Sequence, residues 1–171
     1  LQADITTELV KRGYTVFTFN QRSVEEILQM VRVVGGIVGV PDKGVALADT
    51  FARGLEAIRA SAARFPTRPR VYFEEWDEPL ISGIRWVEEL VEVAGGTPIF
   101  PELRAAALGK DRIVTAERVI NAAPEVFIGS WCGKPVKKDR VRQRAGWDAV
   151  PFIVHDRLYE EFVSKFFEHT M

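Results

Sequence analysis

Four carboxylates fall within five positions of the sequence, at Glu74, Glu75, Asp77 and Glu78. Carboxylates at this density can bind a cation or act as general acid and base. Alternation along a strand sends Glu74 and Trp76 to one face and Glu75 to the other, so the carboxylates cannot all converge. Three interpretations stay open: an exposed acidic turn, an aromatic ligand-binding surface at Trp76, and a metal or acid–base site.

A second group of residues that could contact a ligand is the loop that holds Trp131 and Gly133, directly after the apolar segment 125–129. A tryptophan offers a large rigid apolar face with one N–H donor, which suits a bulky planar ligand. Gly133 would allow the backbone to approach such a ligand closely. Ligand contact and a structural tryptophan packed under a loop both remain open here.

Cys132 and His155 form a possible nucleophile and base, because both follow predicted strands of one sheet. No glycine pattern of a nucleophile elbow accompanies them, and Asp156 is the one evident acid that could orient the histidine. The two histidines of the chain show no spacing typical of a zinc site.

The overall composition is that of an ordinary globular protein. The chain has 171 residues, 47% of them hydrophobic, with a net charge of −1 and a pI near 6.2. No basic footprint points to nucleic acid as a partner, and the one basic run, 134–144, is interpreted as a solvated helix face. The single cysteine excludes an internal disulfide, and no apolar run reaches the roughly 20 residues that a membrane span needs.

The amino-terminal third reads as helix, strand, helix and then one long helix. The pattern predicts a helix over 2–11 that ends at Gly13, a strand over 14–19, and a helix opened by a Ser23–Glu26 capping box. Gly35-Gly36 and Gly95-Gly96 lack phosphate-loop spacing and are interpreted as helix ends.

The long helix is predicted over 42–65, with Asp42 as its N-cap and Pro66 at its end. Its apolar side chains recur at helical spacing. They are Leu47, Phe51, Leu55, Ile58, Ala62 and Phe65. At about 1.5 Å per residue the helix spans roughly 35 Å, close to the diameter of a small domain. It therefore predicts a stiff connection between two lobes.

The remainder alternates between predicted strands and helices. We predict strands over 70–76, 125–129 and 150–154, and helices over 84–94, 115–122, 137–144 and 156–167, the last capped by Asp156. Such alternation indicates a mostly parallel sheet with helices on both faces, whose ligands lie beyond the carboxyl ends of the strands. The predicted division is 1–41 for an amino-terminal α/β lobe, 42–66 for the connecting helix and 67–171 for a carboxy-terminal α/β lobe.

The order of these segments resembles a known family. Besides the long helix, the segments on which the resemblance rests are GYTVF at 13–17, SVEEI at 23–27, VVGG at 33–36, RVYFEEW at 70–76, WVEELVEVAGG at 86–96 and VINAAPEVFI at 119–128. Together they resemble the helical-backbone (class III) periplasmic substrate-binding proteins of ABC importers, the group that carries cobalamin, haem and iron–siderophore complexes. Within that group the chain looks most like the cobalamin-binding branch.

The resemblance implies two Rossmann-like lobes joined by a long connecting helix, with no catalysis and no cofactor. It implies a periplasmic or extracytoplasmic monomer that captures a corrinoid or an iron chelate and delivers it to an ABC permease. The ligand-contacting positions it suggests are Trp76, Trp131, Gly133 and Tyr159. The permease-docking positions it suggests are Glu160 and, as second choice, Glu117.

The sequence departs from the family pattern at both ends. The amino-terminal lobe lacks its first strands and helices, and the tail after Tyr159 does not match the usual ending. We interpret the chain, which begins at Leu1 with no signal-peptide pattern, as an excerpt or a processed product that by itself binds ligand weakly or not at all. The alternatives are a small α/β hydrolase that uses the carboxylates of 74–78 or Cys132, and a sensor or scaffold domain with a borrowed fold.

Overall fold

The computed structural model describes residues 2–160. Three helices come first, namely α1 (Gln2–Lys11), α2 (Val24–Ile37) and α3 (Pro41–Ala62). The predicted end of α1 is confirmed, with Gly13 at φ +83° in the left-handed region. The capping box at the start of α2 is also confirmed, since Ser23 Oγ accepts from the Glu26 N–H and the Glu26 carboxylate accepts from the Ser23 N–H.

The predicted strand over 14–19 is wrong, because this segment carries no regular secondary structure. A strand needs a hydrogen-bonded neighbour, and residues 2–65 contain no strand that could pair with it. Tyr14 and Phe17 are 63% and 59% exposed accordingly. Strand propensity alone therefore did not produce a strand here.

The long connecting helix is confirmed, with shifted ends. It has 22 residues, which corresponds to about 33 Å, and it begins at Pro41 with Val40 as its N-cap. Asp42 lies in the first turn and is not the cap, because proline lacks an N–H and suits the first helical position.

Helices α2 and α3 pack through small residues. A Cβ atom on Gly35 would lie 2.8 Å from the Cα of Gly44, so the two backbones touch where both positions are glycine. Gly35-Gly36 lies in the last turn of α2, which ends at Ile37, so the predicted helix end falls within one residue of the observed one. The apolar stripe is not the buried face of α3, since Leu47 and Phe51 stay 47% and 49% exposed.

The second unit is a mixed sheet surrounded by helices. Its strands are β1 (Arg70–Asp77), β2 (Leu80–Ser82), β3 (Thr97–Pro98), β4 (Val126–Gly129) and β5 (Leu158–Glu160). Its helices are α4 (Arg85–Val93), α5 (Ala116–Ala122), α6 (Lys138–Arg142) and α7 (Pro151–Val154). The order is β2-β1-β4-β5, with β3 also paired to β1, and every pairing except β1–β2 is parallel. The predicted α/β class is confirmed.

The last predicted strand, over 150–154, is wrong: this segment is helix α7, and the strand is β5. Pro151 occupies the first helical position, and a short apolar run does not distinguish helix from strand by periodicity. Asp156 has φ +52° in the turn before β5, so it does not cap a helix. Positions 161–167 of the predicted final helix, with the rest of the tail, lie outside the described residues.

Aromatic side chains from β1, β4 and the segment around α7 form the centre of the core. Tyr72 makes edge-to-face contacts with Phe127 and Trp147, at centroid distances of 5.7 Å and 6.3 Å. Phe152 packs on both Phe127 and Trp147. The core therefore lies between the sheet and the residues that follow α6.

A buried ion pair lies beside this aromatic core. The Glu74 carboxylate is fully buried and accepts from Arg144 Nη1 at 2.6 Å and Nη2 at 2.8 Å, and from Trp131 Nε1 at 2.9 Å. Burial raises the pKa of Glu74, and the bonds from Arg144 oppose that rise. The pair ties β1 to the loop after β4 and to the segment after α6.

We predict that Gly35→Ala destabilises the protein. The methyl group would meet backbone atoms of Gly44, and overpacking of this kind costs about 1–3 kcal/mol, more than the gain of about 1 kcal/mol in helix propensity. The matched control is Gly36→Ala, where a Cβ meets nothing within 4 Å. It should stabilise the protein by about 0.4–1 kcal/mol. Urea unfolding measures both, and an equal gain in the two variants would contradict the close packing.

A second prediction concerns the ion pair. Arg144→Met leaves a buried carboxylate without its cation, which should cost about 3–5 kcal/mol of unfolding free energy. Adding Glu74→Gln should restore about half of that loss, because the uncompensated charge is then gone. The control is Arg142→Met, whose partners Asp139 and Asp156 are exposed, so that little change in stability is expected. A double variant less stable than Arg144→Met alone would refute the assignment.

Candidate ligand-binding site

The carboxyl ends of the parallel strands β1 and β4 lie side by side and open onto a cavity of about 290 Å³. This is the edge of an α/β sheet at which ligands usually bind. The cavity is lined by Asp77, Trp131, Lys134, Pro135, Lys137 and Arg140. Both tryptophan-containing segments singled out in the sequence therefore reach this edge.

The acidic run does not form a single cluster. Glu75 pairs with the buried Arg112 at 2.6 Å, and Asp77 and Glu78 pair with Arg140 at 3.3 Å and 2.7 Å. The fourth carboxylate is the buried one described above. No group of three or more potential metal ligands is present within residues 2–160. The geometry thus gives no support to a metal or acid–base site. Of the four carboxylates only Glu78 is exposed, so the interpretation as an exposed acidic turn fits that residue alone.

Trp76 lies at the end of β1, after an irregularity in the pairing with β2 between Glu74 and Trp76. Its indole Nε1 donates to the carbonyl oxygen of Glu78 at 2.9 Å, which fixes the ring. The ammonium group of Lys134 lies 3.5 Å from the ring centroid. A partly exposed aromatic ring thus carries a cation beside the cavity, and its ligand-binding role stays a prediction.

Trp131 lines the cavity but is only 2% exposed. Its N–H is already used by Glu74, so most of its surface is in contact with protein. The structure gives Trp131 a supporting role under the loop, the second of the two interpretations left open by the sequence. Direct ligand contact by Trp131 stays a prediction.

Gly133 forms a tight turn that returns the chain over β1. Cys132 and Gly133 both have positive φ, at +36° and +85°, and the Lys134 N–H donates to the Trp131 carbonyl at 2.8 Å. Two successive residues with positive φ are typical of a type I′ turn, and glycine adopts this conformation without strain. The turn is what places Lys134 against Trp76.

The remaining predicted positions occupy different surroundings. Tyr159 in β5 is 53% exposed. The carboxylate of Glu160 accepts from the Val136 N–H at 2.7 Å and so holds the segment after the turn. Glu117 is exposed in the first turn of α5. Their roles in ligand contact and permease docking stay predictions.

The cysteine does not have the surroundings of a nucleophile. The Cys132 thiol donates to the carbonyl oxygen of Glu75 at 3.7 Å, and within the described residues no hydrogen bond joins it to His155. Burial and the nearby Glu75 charge raise the pKa of Cys132, which disfavours the thiolate. The hydrolase alternative has no support from either the cysteine or the carboxylates.

The two units are joined by more than α3. The Val24 N–H at the start of α2 donates to the Glu89 carboxylate in α4 at 2.8 Å, and the Arg22 guanidinium donates to the carbonyl oxygen of Ala107. A larger cavity, of about 760 Å³, lies between α2, α3 and α4. It is lined by residues of these helices and by Arg68, and none of its lining residues belongs to a strand end.

Sequence reasoning missed the arginines that organise this edge. Arg112, Arg140 and Arg144 pair with residues that are 37, 62 and 70 positions away in the chain. For Arg140 and Arg144 the available signal is the basic run 134–144, which the pattern alone suggests is a solvated helix face, whereas Arg112 lies outside that run. That interpretation is wrong for Arg144 and incomplete for Arg140, because both contact the acidic run.

Several solved structures are similar to this one. A possible iron-binding, periplasmic solute-binding protein of Staphylococcus epidermidis has 16% identity and a TM-score of 0.75, over 92% of this chain and 61% of that chain. A periplasmic haem-binding protein of a Roseiflexus species has 19% identity and a TM-score of 0.75, over 92% and 61%. The periplasmic vitamin B12-binding protein of Vibrio cholerae has 18% identity and a TM-score of 0.66, over 94% and 60%.

At such identities these likenesses show the fold alone, and the chain spans about three fifths of the length of these neighbours. No curated protein sequence matches the chain. Within residues 2–160, no helix combines the length and the apolarity needed to cross a bilayer. The model of the family described as periplasmic binding protein matches residues 1–160. The chain therefore belongs to the periplasmic binding protein family.

Proposed function

We propose that the chain is the solute-binding component, or a large part of it, of an ABC importer outside the cytoplasmic membrane. It captures a metal chelate, either a corrinoid or an iron chelate, and delivers it to the permease. Family membership and the fold support this function. The observation that carries it is the cavity at the carboxyl ends of β1 and β4, which is lined by Lys134, whose ammonium group lies on the ring of Trp76.

The chemistry of this edge suits binding of a planar ligand. Burial of a flat apolar body against an aromatic ring supplies most of the affinity, and a few placed polar groups set the orientation. The cavity of about 290 Å³ is at the lower limit of the roughly 300–1,000 Å³ typical of ligand sites. A corrinoid or a porphyrin would therefore need a second surface opposite this one. For that reason we expect weak binding by this chain alone.

Little hinge motion is expected during capture. The continuous helix α3 joins the units, and the hydrogen bond between Val24 and Glu89 links α2 to α4 directly. Hinges are usually a few loop residues that absorb large changes in φ and ψ. Here the units are connected by a helix and a hydrogen bond, and not by loop residues alone. The units therefore keep nearly the same relative position with and without ligand.

Delivery requires a surface that the permease recognises. Glu117 is exposed and free to approach a basic residue of a partner, whereas Glu160 already holds the Val136 N–H. The resemblance placed Glu160 first, and its hydrogen bond now favours Glu117 as the docking residue of this lobe. The division into 1–41, 42–66 and 67–171 and the monomeric state remain part of the proposal.

We predict that Trp76→Ala weakens ligand binding about tenfold, because loss of one aromatic contact of this kind removes about 1.4 kcal/mol. The chain is titrated with cyanocobalamin, haemin and ferrichrome, and binding is measured by tryptophan fluorescence and calorimetry. The matched control is Trp86→Ala on α4, a tryptophan whose ring, unlike that of Trp76, does not hold the cavity-lining Lys134. Absence of binding by all three compounds at 1 mM would overturn the proposed function, as would an equal loss in both variants.

A further inference from the structure

The cavity at the strand ends carries an excess of positive charge. Its lining includes Lys134, Lys137 and Arg140 but only one acidic residue, Asp77. This excess is local, because the chain as a whole has a net charge of −1. The same segment of chain, 134–144, supplies all three cations.

The arginine is neutralised and the lysines are not. Arg140 contacts both Asp77 and Glu78, so its charge is balanced within the protein. Lys134 and Lys137 make no salt bridge with any residue between 2 and 160, and both side chains are exposed. Among the described residues, the partner of the Lys134 ammonium group is the ring of Trp76. Two cations beside an aromatic surface are therefore available to a ligand.

We propose, resting on the function proposed above, that the ligand is an anionic chelate whose aromatic or planar body carries carboxylates at one edge. The body packs beside Trp76, and the carboxylates face Lys134 and Lys137. Lys134 then lies between the ring and a carboxylate oxygen, so that one ammonium group contacts the ring and donates a hydrogen bond to the carboxylate. A neutral corrinoid would gain no charge-assisted contact from either lysine, so the site favours the anionic chelate over it.

The geometry of the turn supports this selection. The tight turn at Cys132 and Gly133 fixes where Lys134 leaves the backbone, and the bond from Val136 to Glu160 fixes the next two residues. The lysine is thus held near the ring by backbone structure and not by an acidic partner. An ammonium group so placed is a ready donor for a carboxylate, and hydrogen bonds of this charged type are stronger than neutral ones.

The test compares haemin with its dimethyl ester, because the two share one ring system and differ only in the two carboxylates. The full chain is titrated with each compound and with cyanocobalamin at 50 mM and 300 mM NaCl. We expect haemin to bind at least about tenfold tighter than the ester at low salt, from two charge-assisted contacts at a partly exposed site. High salt should weaken haemin binding several-fold and leave the ester unchanged.

The variant Lys134→Gln/Lys137→Gln should remove the preference for haemin over its ester. The matched control is Lys110→Gln, an exposed lysine that does not line the cavity, and it should keep the preference. Equal affinity for haemin and ester in the unmodified chain would overturn the inference, as would a preference that persists in the double variant. Binding of cyanocobalamin as tight as that of haemin would overturn it too, while leaving the proposed function intact. Failure of haemin, its ester and cyanocobalamin to bind would reject the inference, and the proposed function would be rejected with it only if ferrichrome also fails to bind.

Discussion

The buried ion pair between Glu74 and Arg144 is the interaction on which the candidate site depends. A carboxylate in the middle of a sheet is costly unless a cation and further donors satisfy it, and here Arg144 and Trp131 provide three hydrogen bonds. Glu74 belongs to the strand β1, Trp131 to the loop after β4 and Arg144 to the segment after α6. One buried charge therefore fixes the three segments that surround the cavity.

The rest of the edge follows from two complementary charge runs. The acidic residues at the end of β1 and the basic residues of 134–144 pair across the strand ends, with Arg140 bonded to Asp77 and Glu78. Such pairing neutralises the groups that a hydrolase would need as acid, base or metal ligand. Among the described residues, Lys134 remains without a carboxylate partner and lies next to an aromatic ring, an arrangement that suits ligand binding.

Rigidity between the two units has a separate origin. The backbones of α2 and α3 touch at Gly35 and Gly44, so the two helices form one closely packed pair. That pair is anchored to the second unit by the bond between Val24 and Glu89. The helix that connects the units is thus supported by α2 at its start and does not act as a lone connecting rod.

Features that depend on neighbouring residues could be predicted from the amino-acid sequence. The capping box at Ser23, the end of α1 at Gly13, the long helix and the parallel-rich α/β class all rest on local hydrogen bonds, local sterics and hydrophobic periodicity. Two other features, the irregular segment 14–19 and the burial of Glu74, depend on contacts between distant parts of the chain. The physical reason is that a strand needs a paired neighbour and a buried carboxylate needs a cation, and this cation comes from 70 residues further along the chain.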